Sequence, residues 1–87
     1  MNNEIKDFII RYFKGKKLPK LKNETEILEY KYLENGLIDS MGIVDLINSM
    51  ENRFSIVFSI QNMQDPEFGK VGGLISMVER LRNKLNE

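Results

Sequence analysis

The sequence predicts an all-α protein: a small four-helix bundle, with three main helices and a short third one. Two long segments, near the start and at the end of the chain, repeat apolar residues at helical spacing, and a third such segment lies in the middle. The only run with strand-like composition, SIVFSI at residues 55 to 60, has no second strand to pair with.

Residues 4 to 14, EIKDFIIRYFK, place Ile5, Phe8, Ile9, Tyr12 and Phe13 on one helical face. Gly15 suits the end of that helix, and Pro19 prevents its continuation through GKKLPK. In the long connection that follows, Asn23 and Glu26 have capping-box spacing for a short turn through Ile27, Leu28 and Tyr30, which ends before Asn35-Gly36. The second main helix spans roughly 40 to 53, with Asp39 as its cap. Its apolar positions are Ile43, Val44, Leu46, Ile47, Met50 and Phe54; all but Val44 are assigned to the core outright, and Val44 is open between core and surface.

Ser55 to Ile60 is expected to be an extended loop with Ile56 and Phe58 pointing inward. Asp65-Pro66-Glu67-Phe68 carries an acid at a cap position and proline in the first turn, the pattern of a short helical turn. The last helix runs from about Val71 to Leu85, with Leu74, Ile75, Val78, Leu81 and Leu85 on one face. Gly72 and Gly73 weaken its first turn by about 1 kcal/mol each, unless close packing requires them.

The chain has 87 residues, 41% hydrophobic and 30% charged, which fits a single domain, 1–87, with one modest core. It contains neither cysteine nor histidine. That removes disulfides, thiolate nucleophiles, serine-histidine triads, the usual zinc spheres and most acid/base chemistry near neutral pH. The net charge of zero hides a pattern: residues 1 to 22 carry seven Lys/Arg against two Asp/Glu, residues 23 to 69 two against nine, and the tail from Lys70 four against two. Lys14, Lys16, Lys17, Lys20 and Lys22 read as a solvated loop, because no interleaved aromatics or glycine-rich phosphate loop mark a nucleic-acid surface. No leader pattern opens the sequence and no apolar run reaches membrane-span length, so a soluble, cytoplasmic protein without membrane insertion is expected, with monomer as the default state.

The remaining question is Ser40, which stands between Asp39 and Met41 at the head of an apolar repeat. An Asp-Ser pair there is first of all a capped helix start. The longer pattern LENGLIDSMGIVDLINSMENRFSI, however, closely resembles the attachment segment of acyl and peptidyl carrier proteins, which are phosphopantetheine-binding. Leu33, Gly36 and Leu37 look like that family's residues before the motif. Leu46, Glu51 and Phe54 fall where its helix carries a core leucine, an acid and a closing phenylalanine, and Asp65 to Phe68 followed by Val71 resemble its short third helix and the start of the fourth. The wording LIDSMGIVDLI is most similar to D-alanyl and aminoacyl carrier proteins or to freestanding carriers of biosynthetic clusters. Fatty-acid carriers, by contrast, are usually strongly acidic, often have an apolar contact where Asn48 stands, and often a threonine where Lys70 stands.

The resemblance implies that Ser40 accepts 4′-phosphopantetheine from coenzyme A, delivered by a phosphopantetheinyl transferase. The arm would then hold an acyl or aminoacyl group as a thioester. Further partners would be an acyl- or aminoacyl-loading ligase and a downstream acyltransferase or synthase, in fatty acid or secondary metabolite biosynthesis. Asp39 would assist the transferase's metal and phosphate chemistry, a role that can coexist with capping. Met41 and Val44 lie on the helical face of Ser40 and would be apolar partner contacts, with Asp45 and Glu51 as charged ones; a solvated face is the plainer alternative for the acids. On this reading the protein is not an enzyme, has no catalytic or metal-binding residues, and Ser40 is a substrate. A rival reading is a small helical adaptor that binds its partner noncovalently, with Ser40 only a cap. A hydrolase or transferase comes last, because no base, metal site or cofactor loop is visible.

Overall fold

The computed structural model describes residues 4–16 and 18–85; Lys17 of the basic loop and the Leu85 side chain, both read from sequence above, lie outside the described residues. Among the described residues five α-helices and one 3-10 helix form, in the order α1 (Glu4–Lys14), α2 (Glu24–Glu29), α3 (Ser40–Phe54), α4 (Ile60–Gln64), the 3-10 helix (Pro66–Gly69) and α5 (Val71–Leu85). The three long helices are those the apolar spacing predicts, and among the described residues no strand forms.

Each expected helix start has a concrete cause. The Asn23 side chain accepts the Glu26 amide at 3.0 Å, but the Glu26 carboxylate reaches past Asn23 and accepts the Lys22 amide at 2.6 Å. The expected capping box is thus displaced by one residue. The 3-10 helix begins at Pro66, with the Glu67 amide donating to Asp65 Oδ1 at 2.9 Å. Helix α5 takes its cap from the backbone: the Val71 amide donates to the Tyr30 carbonyl at 3.1 Å, which fixes the 30–33 segment against the start of α5.

One expectation changes. Ile56 to Ser59 is the connection anticipated, with Ile56 and Phe58 buried, but Ser55 before it is the left-handed cap of α3, at φ 55°, and Ile60 opens a helix of its own. Ser59 and Asn62 supply the reason, since the Asn62 amide donates to Ser59 Oγ at 3.1 Å and the Ser59 amide donates to Asn62 Oδ1 at 2.8 Å. A capping box built with asparagine nucleates a turn too short for apolar periodicity to register.

The core gathers Ile5, Ile9 and Phe13 of α1, Leu46, Met50 and Phe54 of α3, and Val71, Leu74, Ile75, Met77 and Val78 of α5, closed by Tyr32, Ile56, Phe58 and Phe68 from the connections. Ile43 and Ile47 pack at its margin, half-buried. Aromatic rings join the layers edge to face, Phe8 on Phe54 at 5.4 Å and Phe58 on Phe68 at 5.8 Å between centroids. The glycines of α5 are there for approach: a Cβ on Gly72 would lie 2.9 Å from the Leu28 carbonyl oxygen, and one on Gly73 2.2 Å from that of Glu67. Close packing therefore explains both, at the cost in helix propensity noted above.

Candidate functional site

Ser40 is the first residue of a 15-residue helix, and Asp39 sets that start. Asp39 is extended, at φ −91° and ψ −173°; its Oδ1 accepts the Gly42 amide at 2.8 Å and its carbonyl accepts the Ile43 amide at 2.9 Å. These two bonds satisfy the third and fourth amides of the helix. Among the described residues the Ser40 and Met41 amides and the Ser40 hydroxyl have no protein partner. Ser40 is exposed, so its Oγ faces solvent beside two unpaired N–H groups and the positive end of the helix dipole.

The approach to the serine is fixed from behind. Gly36 adopts φ 67°, a left-handed turn conformation that glycine takes without penalty, and the Leu37 amide returns to the Tyr32 carbonyl at 3.0 Å. Tyr32 is fully buried, and its hydroxyl donates to the Phe68 carbonyl. Ile38, two residues before Ser40, is buried. Buried side chains thus anchor the segment that leads into an exposed tripeptide.

Helix α1 braces α3 from the flank. The Tyr12 hydroxyl donates to Asp45 Oδ2 at 3.0 Å, with the Gly42 carbonyl a weaker second acceptor at 3.4 Å. Burial first, then the hydrogen bond to Asp45 and that carboxylate's charge, push the Tyr12 phenol up to about 12. The sequence reading placed Tyr12 only in an apolar stripe; its polar end finds a partner in Asp45, a contact across two helices that no local pattern encodes.

The structure distributes the other candidate residues unevenly. Met41 is 79% exposed and Val44 57%, so both stand outside the core on the surface of α3 that begins at Ser40. Asp45 is exposed but already accepts from Tyr12. Glu51 is half-buried, and its Oε2 accepts the Phe58 amide at 2.9 Å, holding the extended connection onto α3. Val57, Ile60 and Met63 are further exposed apolar residues that the sequence reading did not single out. For Val57 a signal existed: if Ile56 and Phe58 point inward in an extended run, the residue between them points out. An open groove of about 540 Å³ lies between Leu33 and Met63 and is lined by neither Ser40 nor Asp39.

The position fits a phosphopantetheine group on the properties of these residues. An unpartnered exposed hydroxyl can be esterified without breaking a native contact, and the neighbouring free amides suit a phosphodiester anion. The Asp39 carboxylate works against that anion electrostatically, while its bond to the Gly42 amide holds it on the helix axis.

Comparison with known proteins gives a consistent result. No family model and no solved structure matches the chain. Two curated relatives do: a D-alanyl carrier protein of Streptococcus sanguinis and one of Streptococcus gordonii. Each is 27% identical over 63 residues, which span 72% of this chain and 80% of the relative. With the serine motif at the mouth of α3, the chain is distantly similar, across most of its length, to these two carrier proteins.

Proposed function

We propose that the protein carries an acyl or aminoacyl group as a thioester on 4′-phosphopantetheine bound to Ser40, and presents it to partner enzymes. The Ser40 oxygen attacks the phosphorus of coenzyme A that bears the pantetheine arm. A phosphodiester forms, the adenosine bisphosphate half departs, and the serine proton passes to a base of the transferase. Ser40 is therefore a substrate, which accounts for a serine without a resident histidine or cysteine, and the arm brings the thiol that the chain lacks.

The single observation that carries this reading is the exposed, unpartnered Ser40 hydroxyl at the first position of a long, firmly anchored helix. The name of the two relatives favours an aminoacyl cargo. Met41 and Val44 supply the apolar part of the partner surface and Asp45 a charge; Glu51 contributes least, because its carboxylate already holds the Phe58 amide. Asp39 both caps α3 and lies beside the phosphate chemistry.

The test is intact mass after incubation with coenzyme A and a promiscuous phosphopantetheinyl transferase. One phosphopantetheine should add to the wild type and none to Ser40→Ala. An unmodified wild type would overturn the proposal and leave the noncovalent adaptor, for which Ser40→Ala retains biological activity.

A further inference from the structure

We propose that the end of α1 and the loop leading to α2 form a cationic surface that docks the protein on an anionic lipid bilayer, without insertion. Between Asp7 and Glu24 the chain has no acid, yet it carries Arg11, Lys14, Lys16, Lys17, Lys20 and Lys22. The five of these that are described are all exposed, and none of them forms an ion pair. The paired cations are others: Lys6 with Glu24 at this same surface, and, away from it, Lys31 with Glu34, Arg53 and Arg82 with Glu4, and Lys70 with Glu67.

The geometry gathers three of the unpaired set, Arg11, Lys14 and Lys22, on one surface. Lys14 and Lys22 rim a groove floored by Ile10 and Leu21, and Arg11 joins Lys14 on the adjoining depression. Two acids face the groove, Asp7 and Glu24, and Lys6 already neutralises the second. Lys16 and Lys20 lie on the loop that leaves this end of α1, with the Lys16 ammonium 5.2 Å from the Tyr12 ring centroid.

The chemistry of the residues selects the occupant. A specific protein interface is built around buried aromatic or arginine anchors. Among the described residues that line the groove and the adjoining depression there is no aromatic and one arginine, and Tyr12 beside Lys16 is half-buried and bonded to Asp45. Single-stranded nucleic acid requires open aromatic faces for stacking, which this surface lacks. Lysines are compact, hydrated point charges on flexible stems, suited to a layer of headgroup phosphates that imposes no fixed geometry. Ile10 and Leu21 are half-buried and offer nothing to insert, and among the described residues no helix is long and apolar enough to cross a membrane.

Each Lys or Arg near an anionic bilayer strengthens binding by about fivefold. The experiment is flotation of the unmodified 87-residue chain with vesicles of phosphatidylcholine containing phosphatidylglycerol, and with phosphatidylcholine alone. Binding is expected to the anionic vesicles only, and should disappear as the ionic strength approaches about 1 M, where the screening length is about 3 Å. The double variant Lys14→Gln, Lys20→Gln should bind on the order of 25-fold more weakly. The charge-matched control Arg80→Gln, Lys84→Gln, on exposed positions of α5, should change binding by less than about twofold. Circular dichroism establishes that each variant is folded.

Absence of binding to anionic vesicles at low salt overturns the proposal, as does equal weakening by the two double variants. Binding to polyglutamate or single-stranded DNA without binding to vesicles overturns it in favour of an acidic protein or a nucleic acid. Because the test uses the chain without its arm, its outcome is independent of whether Ser40 is modified.

Discussion

Asp39 does for α3 what one well-placed oxygen can do: it satisfies the Gly42 amide and leaves those of Ser40 and Met41 open. Two roles meet in that one carboxylate, and substitution separates them. Asp39→Ala removes the cap and is expected to cost about 1 kcal/mol, which lowers the melting temperature of a domain this size by about 4–8 °C. Asp39→Asn keeps an equivalent capping oxygen and should melt within a degree or two of the wild type, since asparagine and aspartate cap about equally well. If the charge also serves the transferase, Asp39→Asn loads phosphopantetheine more slowly, on the order of tenfold, the loss typical of a group that supports a metal site. Equal loading rates for the Asp39→Asn variant and the wild type would confine Asp39 to capping.

At the level of helices, the close approach of α5 to its neighbours is built into two glycines that propensity alone disfavours. Gly73→Ala would give back about 1 kcal/mol of helix propensity but place a methyl group within 2.2 Å of the Glu67 carbonyl oxygen, a backbone atom that cannot turn aside. The clash should dominate, with a net loss of about 1–3 kcal/mol measured by denaturant unfolding. Ser76→Ala on the same helix, at an exposed position, should instead gain a few tenths. The sequence disclosed the three long helices, the Asp39 cap and the inward pair Ile56 and Phe58, because each rests on spacing within one segment. It did not disclose α4, whose five residues are too few to show a period, nor the tie from Glu51 to the Phe58 amide, which depends on how the chain returns. The same division holds at the candidate site. Ser40 and Asp39 were legible from a local motif; the exposure of Val44 and the bond from Tyr12 to Asp45 follow only from the packing of α1 on α3.

Across the whole molecule, two tyrosine hydroxyls join parts of the chain far apart in sequence. Tyr12 ties α1 to α3, and Tyr32 ties the segment before the serine to the 3-10 helix, both as neutral donors. Burial raises the Tyr32 phenol, and burial together with Asp45 raises that of Tyr12 from the ordinary 10.0 to about 12. A folded-state value above the unfolded one means that the stabilisation is complete below pH 10 and is lost as pH climbs toward 12, because the unfolded chain releases its proton first. Tyr12→Phe tests this with little change of shape. At pH 8 the variant should be less stable by about 1 kcal/mol, the usual net value of one hydrogen bond. As pH rises past 10 the difference should shrink, since phenylalanine cannot ionise and the wild type alone must keep a proton that the solvent withdraws. Urea unfolding of both proteins at a series of pH values measures it; a gap that stays constant between pH 8 and 12 would show that folding does not raise the Tyr12 phenol, and no gap at pH 8 would show that Tyr12 contributes only its ring. Because Tyr12 reaches the first turns of α3, loss of this tie at high pH loosens the same helix start that holds Ser40 outward, so the alkaline limit of the fold is also the limit of the site.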